Sequence, residues 1–562
     1  MRQWKLYLVL SLVLCLLAGV FTRETIAATT YRTVVVGYLL VPDDYFPVYL
    51  SAFENSVIND AGQVAFWGRL GGNVGQDNND TIWTESADGL KLVVRERDAA
   101  TGAGTSAKFG NFYATHMPYF PMIDGAGQAV FYSTTIQGTG DGIWIDKDGV
   151  LEQMASGGGF IPIPGLQGHY RFRGIASDSV VLNDNAQVAF HASFFSNYPD
   201  VSGYGVWTVK DGVMSTVAMT GRTVKGLPSG VQFQSVSNPV LNSAGQMAFT
   251  ALVGPLDGSF QLPVILRGSD SYQNLIVKAG QHAPGTPDDT VFSGFHPPSI
   301  NSGGDIAFLA GVEGGDIPSL FGRSGIWSTA GGLHLIARGG DEAPDTEPGT
   351  VFYDGSSYYG FGQPRIGGNG TTVFKAHLRR PGFDPRLDTF EDIGLFVEDG
   401  NELRLLARHG EPAPGTEPGV LFKFPKILWV YREDPQFVIN DVGQVAFFAF
   451  LQGGIGSSDY GIWATDPGGR LRLIVRLGDI IDVNDDPLIE DWRTVSGMDL
   501  VTGSGGDDGL ASSFNRWGEL VYSLKFTDGS SGIFVATVPE PATVGGLGVG
   551  LAGLFQRRLL AS

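Results

Sequence analysis

The sequence predicts an all-β fold, an eight-repeat β-propeller-like ring that is closed by an N-terminal strand, with an N-terminal signal helix and a short C-terminal apolar helix. Three observations predict it. The signature INDAGQVAF at residues 58–66 occurs in eight copies, short patches rich in Val, Ile, Phe and Trp follow the copies, and the mature chain opens with one such patch that has no signature before it. Internal repeats take precedence over the several domains that 562 residues would otherwise suggest.

The distance between copies defines the repeat. Successive copies are 65, 59, 59, 59, 66, 73 and 75 residues apart, measured at the final aromatic residue, and intervals of this size exclude the short-period solenoids. The final aromatic residues are Phe66, Phe131, Phe190, Phe249, Phe308, Phe374, Phe447 and Tyr522. In the copies that match the signature most closely, the Asn and Gly residues are Asn59, Gly62, Asn183, Asn242, Gly245, Asn301, Gly304, Asn440 and Gly443.

Each signature indicates a turn that leads into a buried strand. An Asn such as Asn59 can close an Asx turn, and Gly62 supplies the positive φ that the chain needs before the strand. The residues that follow are apolar at neighbouring positions, which is typical of a strand buried on both faces. The copies are degenerate, because Ala186 replaces the Gly of the third copy and Gly367 replaces the Asn of the sixth.

Two further strands follow the signature strand in most units. The second patch reads TIWTE, GIWID or GIWAT, the third reads LKLVVR or LRLIVR, and neither shows sustained helical periodicity. Three or four strands per unit favour a β-propeller, which removes free sheet edges by radial repetition. A β-solenoid and two stacked sandwiches are the alternatives.

The two ends of the repeat region predict how the ring closes. The eighth unit ends at GIFVATV and lacks a third patch. The segment YRTVVVG at residues 31–37 resembles a third patch, but no first or second patch precedes it. We therefore expect residues 31–37 to complete the last blade by strand exchange.

The N-terminal segment has the features of a secretory signal. Arg2 and Lys5 precede the apolar run Leu6–Val20, and an Ala-rich cleavage zone follows. The sole cysteine, Cys15, would leave with this run, so the exported chain is held by burial and backbone pairing without disulfides. The expected boundaries are 1–28 for the signal peptide, 29–538 for the propeller-like domain and 539–562 for a sorting segment.

Two resemblances to known families follow from these motifs. The eight copies resemble the tandem NxxGxxAF repeat of bacterial exported proteins. The tail VPEPATVGGLGVGLAGLFQRRLLAS is similar to the PEP-CTERM sorting signal, with its Pro-Glu-Pro motif, apolar stretch and basic pair. The apolar stretch, Ala542–Phe555, has 14 residues, fewer than the ~20 of a stable membrane span, which predicts a transient membrane contact. The sorting residues are Val538, Pro539, Glu540, Pro541, Arg557 and Arg558.

The second resemblance implies a route for the chain. An exosortase, which is a membrane protease, would process the tail near the Pro-Glu-Pro motif. The protein would be exported, held at the membrane by its C-terminal segment before processing, and delivered to the outer surface or the extracellular matrix of a Gram-negative bacterium that makes exopolysaccharide. The chain continues past the Arg pair to Ser562, which departs from the family pattern and leaves the cleavage position open.

The net charge of the chain and the positions of its aromatic residues limit the classes of partner that it can bind. The net charge of −21 argues against nucleic acid, whose phosphates need Lys and Arg. Five Trp residues recur at one strand position among apolar neighbours, which predicts core packing rather than ligand stacking; they are Trp83, Trp144, Trp207, Trp327 and Trp463. Aromatic residues in the longer intervals are the candidates for ligand-binding loops, namely Tyr358, Tyr359, Trp429, Tyr431 and Trp492.

Charged motifs give weaker signals. In four units an Arg precedes an acid by three residues, as in Arg338 and Asp341, and we interpret this as a turn-stabilising ion pair. The acidic stretches GQDNNDT, DVNDDPLIED and GGDDG offer oxygen ligands for Ca²⁺ but lack EF-hand spacing, so solvated loops without a metal or other cofactor are expected.

The function predicted from these features is a non-catalytic binding or structural role at the cell surface, with exopolysaccharide or another surface protein as the partner. The alternative is a carbohydrate-active enzyme, a glycoside hydrolase or polysaccharide lyase, on the same ring. Such an enzyme needs only two well-placed carboxylates, and 58 acidic residues leave it open. An architectural spacer without a ligand is the third class.

Overall fold

The computed structural model describes residues 30–37 and 48–538, except 73, 76–77, 111, 115–116, 119–120, 139, 162, 164–169, 199, 256–258, 270–272, 316–322, 354–359, 383–391, 425–435, 455–458 and 487. These residues form eight antiparallel sheets that are arranged as the blades of a β-propeller, which confirms the predicted fold. The signal segment and the tail from Pro539 onward lie outside the described residues.

Each blade has four strands, numbered here from the channel outward. The second strands carry the signature aromatic residues and are Val64–Gly72, Ala129–Ile136, Val188–Asn197, Met247–Gly254, Ile306–Glu313, Thr372–Arg379, Val445–Gln452 and Glu519–Phe526. The third strands are Asp80–Ser86, Asp141–Lys147, Asp200–Lys210, Leu262–Gly268, Ser324–Ser328, Ile393–Asp399, Tyr460–Thr465 and Ser531–Thr537. The fourth strands are Gly89–Arg95, Val150–Ser156, Val213–Met219, Gln273–Lys278, His334–Arg338, Glu402–Arg408, Leu471–Arg476 and, for blade 8, Thr30–Val36.

The first strands line the channel. Blade 1 has Val48–Ile58 and blade 8 has Trp492–Asp499, whereas blades 2 to 7 have a first strand in two pieces. Those pieces are Lys108–Phe109 and Met122–Ile123, Arg171–Ile175 and Val181–Leu182, Gln232–Val236 and Val240–Leu241, Val291–Phe295 and Ser299–Ile300, Val351–Phe352 and Arg365–Ile366, and Leu421–Lys423 and Phe437–Ile439. The second pieces of neighbouring blades touch one another from blade 3 to blade 7, which marks them as the innermost part of the ring.

Three small elements lie outside this pattern. Tyr113–Ala114 and Met117–Pro118 form a short hairpin, and Ser177–Ser179 form one turn of 3₁₀ helix. Ile480–Asp482 pairs with the start of the first strand of blade 8.

The N-terminal strand closes the ring as predicted. Thr30–Val36 pairs antiparallel with Ser531–Thr537, with Thr30 opposite Thr537 and Val36 opposite Gly532. Blade 8 therefore joins the two ends of the repeat region, so the ring cannot open without breaking these backbone hydrogen bonds.

The core lies between blades and is built from repeated aromatic contacts. In blades 2, 3, 5 and 7 the signature Phe stacks on the Trp of the third strand, as for Phe447 and Trp463, with ring centroids 6.3 Å apart. A Phe of the first strand packs edge-on to the same Trp, as Phe422 does at 5.0 Å. All five repeated Trp side chains are at most 3% exposed, which confirms core packing.

The signature turns are joined to one another by their Asn side chains. Asn242 accepts the backbone N–H of Gln246 at Oδ1, closing the predicted turn, and Nδ2 donates to the carbonyl oxygen of Asn301, the equivalent residue of the next blade, at 3.0 Å. Six signature Asn residues make this contact between blades at 2.8–3.1 Å; they are Asn59, Asn183, Asn242, Asn301, Asn440 and Asn515. We call this ring of contacts the Asn belt and the face that carries it the signature face.

Two blades lack the Asn and make their contact through the backbone. Blade 2 has Asp124, and the N–H of Gly125 instead donates to the carbonyl oxygen of Asp184 at 3.2 Å. Blade 6 has Gly367, and the N–H of Asn369 donates to the carbonyl oxygen of Asp441 at 3.0 Å. The eight turns are thus linked in a closed circle.

The backbone conformation of the turn favours Gly at the signature position. Gly245 has φ +77°, which side-chain-bearing residues rarely adopt, and a Cβ there would lie 2.9 Å from Oε1 of Gln187 in the preceding blade. Ala186 occupies the same position in blade 3 with φ 55°, so that blade carries the backbone strain.

We expect Asn242→Ala to lower the free energy of unfolding by about 2–3 kcal/mol, because it leaves buried hydrogen-bonding groups of two blades without partners. Urea denaturation checks this, with Asn274→Ala on the exposed fourth strand of blade 4 as the control, for which less than about 0.5 kcal/mol is expected. An Asn242→Ala protein as stable as the control would contradict a structural role of the belt.

Candidate functional site at the channel mouth

The channel is closed at the signature face by a segment of blade 8. In blades 3 to 5 only a few residues separate the two pieces of the first strand, but in blade 8 the segment Leu500–Ser513 lies between Asp499 and Phe514. None of residues 501–515 is exposed, and the segment runs across the axis of the ring. We call Leu500–Ser513 the plug.

Backbone hydrogen bonds hold the plug to five other blades. The donors and acceptors are Ile58 N to Ser512 O at 2.9 Å, Leu182 N to Gly509 O at 2.8 Å, Leu241 N to Asp508 O at 2.9 Å, Gly506 N to Ile366 O at 3.1 Å and Gly503 N to Phe437 O at 2.8 Å. These contacts reach blades 1, 3, 4, 6 and 7, and Ser299 of blade 5 lies 3.5 Å from the carboxylate of Asp508.

The glycines of the plug allow this close fit. A Cβ at Gly506 would lie 2.7 Å from Oδ1 of Asp441 and 2.9 Å from the amide nitrogen of Gly368. A Cβ at Gly509 would lie 2.7 Å from the carbonyl oxygen of Leu241. Glycine permits backbone to approach backbone at such distances, so the Gly-rich sequence TGSGGDDG matches its place in the channel.

Asp508 of the plug is buried and Asp507 is half-buried, and both use their oxygens within the protein. Asp508 accepts the N–H groups of Gly505 and Leu510. Asp507 accepts the N–H and the hydroxyl of Ser243 in the signature turn of blade 4. Burial raises the pKa of Asp508, and burial, with the charges of Asp441 and Asp184, raises the pKa of Asp507 to about 6.

Asp507 belongs to a group of charges that we call the channel mouth, formed by Asp60, Asp184, Asp441, Asp507 and Arg516. Arg516 pairs with Asp60 at 2.7 Å and with Asp441 at 2.6 Å, linking blades 8, 1 and 7. Burial raises the pKa of Asp441, while its contact with Arg516 lowers it in part. The cleft between these side chains and the plug has a volume of about 80 Å³.

The sequence predicts a solvated loop for the GGDDG stretch and does not reveal that it belongs to the plug. The structure shows that interpretation to be wrong, because Asp508 is 1% exposed. The one available signal was the interval of 75 residues before Tyr522, the longest of the seven. Length alone does not show that the additional residues enter the channel.

The other acidic stretches also use their oxygens locally. Asp482 accepts the N–H groups of Asn484 and Asp491, and Asp485 accepts the N–H of Thr33 on the ring-closing strand. Asp80 is buried and lies 3.6 Å from Nε of Arg69. Within the part of the chain that the structure describes, no three His, Cys, Asp or Glu side chains are grouped as metal ligands would be.

Of the predicted ligand-loop aromatics, only Trp492 is among the described residues. It is 58% exposed at the start of the first strand of blade 8, and Leu488 and Ile489 before it are 90% and 54% exposed. This end of the blade is remote from the signature face, because Val495 pairs with Phe526 at the far end of the second strand. Tyr358, Tyr359, Trp429 and Tyr431 lie in residues 354–359 and 425–435, outside the described residues.

A second group with shifted pKa values lies between blades 6 and 7. Lys375 donates to Oε1 of Gln436 at 3.0 Å and lies 5.5 Å from the ring centroid of Phe424. Burial lowers the pKa of Lys375 to about 8, and burial, with the charge of Lys375, lowers the pKa of His377 to about 4. Shifted pairs of this kind are found at functional sites, but charges between packed blades also produce them.

The predicted local pairs of Arg with the acid three residues later are wrong in two of the four units. Arg408 binds Asp392 and Glu347, both at 2.7 Å, rather than Glu411. Arg476 likewise binds Asp459 and Glu417 with its side chain. Arg338 and Asp341 form the predicted pair, at 3.4 Å, and in the first unit Asp98 accepts the backbone N–H of Arg95 at 2.8 Å. A side chain as long as Arg reaches the loop that leads into its own blade, which residue spacing does not reveal.

A larger groove of about 970 Å³ runs along the fourth strand of blade 3 toward blade 4. Within the described residues, no helix is long and apolar enough to cross a bilayer.

Comparison with known families decides where the chain belongs. The model of a family of unknown function, DUF7453, matches residues 19–341 and again 254–545. The chain belongs to this family. The two matches begin 235 residues apart, close to the 242 residues that separate Phe66 and Phe308, the aromatic residues of the first and fifth signatures. The PEP-CTERM protein-sorting motif matches residues 537–558, which marks the DUF7453 chain as bearing an export and membrane-held sorting signal of bacteria.

Solved structures similar to the DUF7453 chain share little sequence with it. The β-propeller domain of the trilobed protease from Pyrococcus furiosus is 10% identical over 79% of this chain and 99% of that chain, with a TM-score of 0.35. The Dos1 propeller is 7% identical over 89% and 95%, with a TM-score of 0.33. The α-L-arabinofuranosidase Arb93A from Fusarium graminearum is 11% identical over 62% and 93%, with a TM-score of 0.23. Among curated proteins, no sequence matches.

We expect Asp507→Asn to raise the free energy of unfolding by about 1–3 kcal/mol at pH 7.5, and to change it much less at pH 4.5. The pKa of Asp507 is about 6 in the folded chain, above its ordinary value of 3.8, so the folded state binds the proton more tightly. Stability from this group is therefore present at low pH and is lost as the pH rises through about 6.

Urea denaturation at the two pH values measures this effect. Asp288→Asn, in the exposed loop that leads into blade 5, is the matched control because it removes the same charge from a solvated position. A loss of stability of Asp507→Asn at pH 7.5 relative to the control would show that the ionised carboxylate is needed to hold the plug.

Proposed function

We propose that the DUF7453 chain is an exported, non-catalytic binding or structural protein of the bacterial surface or extracellular matrix, with exopolysaccharide as its partner. The observation that carries this proposal is the plug. It fills the channel mouth with the protein's own chain, and the remaining cleft of about 80 Å³ is well below the roughly 300–1,000 Å³ of pockets that enclose organic ligands. We infer that a partner is bound on the outer surfaces of the ring.

The sorting motif supports the cellular part of the proposal. A PEP-CTERM tail implies export and processing by an exosortase. We propose the outer surface of a Gram-negative bacterium as the destination, with residues 1–28 removed as the signal peptide, 29–538 as the propeller domain and 539–562 as the sorting segment.

Trp492 supports a surface contact for the polymer. Its indole, together with Leu488 and Ile489, forms an exposed apolar edge on blade 8, and such patches on soluble proteins often mark binding sites. The indole Nε1 donates to Glu490 at 3.3 Å, which fixes the ring at the surface. A sugar ring can pack its apolar face against such an indole.

The acids of the mouth support binding over catalysis. A glycoside hydrolase needs two carboxylates on opposite sides of one glycosidic bond. Here Asp60 and Asp441 share Arg516, and Asp507 accepts hydrogen bonds from Ser243. The oxygens of these carboxylates are therefore engaged by groups of the protein itself.

The test is a pull-down of the full chain on a panel of immobilised bacterial exopolysaccharides, with polymer length measured by size-exclusion chromatography. We expect binding without shortening, and at least fivefold weaker binding by Trp492→Ala. Trp517→Ala is the matched control, since Trp517 is 69% exposed on the signature face, and it is expected to bind as the unmodified chain does.

Each other outcome argues against part of the proposal. Shortening of the polymer would favour the carbohydrate-active enzyme. Absence of binding to every polymer would favour an architectural spacer. If Trp492→Ala and Trp517→Ala weaken polymer binding equally, Trp492 is not a specific contact of the polymer.

A further inference from the structure

The two ends of the propeller domain leave the ring at one place. Thr30 pairs with Thr537, and the N–H of Val538 donates to the carbonyl oxygen of Gly518 at 2.9 Å. Gly518 is the signature Gly of blade 8, so both ends lie on the signature face. The apolar segment that precedes the domain and the apolar segment that follows it therefore attach to the same face.

The connection to the membrane-held tail is short. Four residues, 538–541, separate Thr537 from the apolar stretch that begins at Ala542. Four residues of fully extended chain span at most about 14 Å. Prolines at two of the four positions restrict φ and limit bending. The attachment point of the ring is thereby kept within this distance of the lipid.

The thickness of the ring exceeds this length. The strand Ser531–Thr537 runs from the opposite face to the signature face, and seven residues in a strand rise by about 23 Å. A connection of about 14 Å cannot pass around an object of that thickness. The opposite face, which carries the turns between second and third strands, is therefore kept away from the bilayer.

The residue nearest the attachment point suits a lipid interface. Trp517 precedes Gly518, is 69% exposed, and donates from Nε1 to the carbonyl oxygen of Asp60 at 2.9 Å. Val442, at the same position in the signature turn of blade 7, is 52% exposed. Trp is enriched at the interface between water and lipid, because its ring is apolar and its N–H is polar.

We propose that the signature face rests against the bilayer while the tail is attached, with Trp517 at the lipid interface, and that the opposite face points away from the membrane. This orientation goes beyond the proposed function and does not depend on the identity of the ligand. It places Trp492 on the side of the ring that points away from the bilayer.

Site-specific labelling tests the orientation. The only cysteine is Cys15, so in a Cys15→Ser background each introduced cysteine is unique. Ala61→Cys and Ala244→Cys place an environment-sensitive dye at exposed positions of the signature face, and Thr527→Cys places it at an exposed turn of the opposite face. The full chain is inserted into phosphatidylcholine vesicles that contain a headgroup spin-labelled lipid as quencher.

We expect the dye at Ala61→Cys to be quenched by the lipid at least threefold more strongly than the dye at Thr527→Cys, with Ala244→Cys closer to Ala61→Cys. Iodide in solution should give the reverse order. Equal lipid quenching at the three sites, or stronger quenching at Thr527→Cys, would overturn the orientation. Ala126→Cys and Asp288→Cys, exposed on the signature face and in an opposite-face loop, replace any variant that does not fold.

Discussion

The hydrogen bond from the signature Asn to the carbonyl oxygen of the next blade is the interaction on which the ring depends. A propeller must hold its blades at a fixed angle, and apolar packing alone is not directional. The Asn side chain supplies direction, because its Oδ1 fixes the turn of its own blade while its Nδ2 binds the next. Each such bond contributes about 1 kcal/mol, yet eight linked turns set the diameter of the channel together.

The plug fits the channel because the belt fixes that diameter. Carbonyl and N–H groups of the innermost strands, such as those of Leu241 and Ile366, would otherwise face an open channel and bind water. The plug satisfies them with backbone, and its glycines bring that backbone close enough. The cost is electrostatic, because Asp508 is buried and Asp507 is half-buried beside Asp441, and the pKa values of all three carboxyl groups are raised. A channel sealed in this way leaves the outer surfaces for partners.

Sequence predicted the elements whose chemistry is local. Asn59 and Gly62 indicated a turn, the Trp residues indicated a core position, and the unpaired patch at residues 31–37 indicated ring closure; the structure shows each of these. It departs from the sequence where a contact joins residues that are far apart along the chain. Nδ2 of Asn242 binds Asn301, and Arg408 binds Glu347, because the folded ring brings these groups together. The spacing of the residues in the sequence predicts neither contact.

The plug illustrates the same limit most clearly. The stretch TGSGGDDG has the composition of a solvated loop, and only its position inside the ring makes it a buried one. The site at the channel mouth was therefore unpredictable, although the sorting tail and the exposed Trp492 were named from the sequence. Exposure of an aromatic residue outside the repeat register can be inferred locally, whereas burial of an acid inside a closed ring cannot.

The central claim is that the plug is a fixed part of the ring, and hydrogen–deuterium exchange measured by mass spectrometry tests it most directly. If the hydrogen bonds of Gly503, Gly506 and their partners in other blades hold the plug, its amides should exchange as slowly as those of the second strand Glu519–Phe526. Exchange as fast as that of the exposed loop at residues 284–289 would show that the plug is detached and that the channel is open.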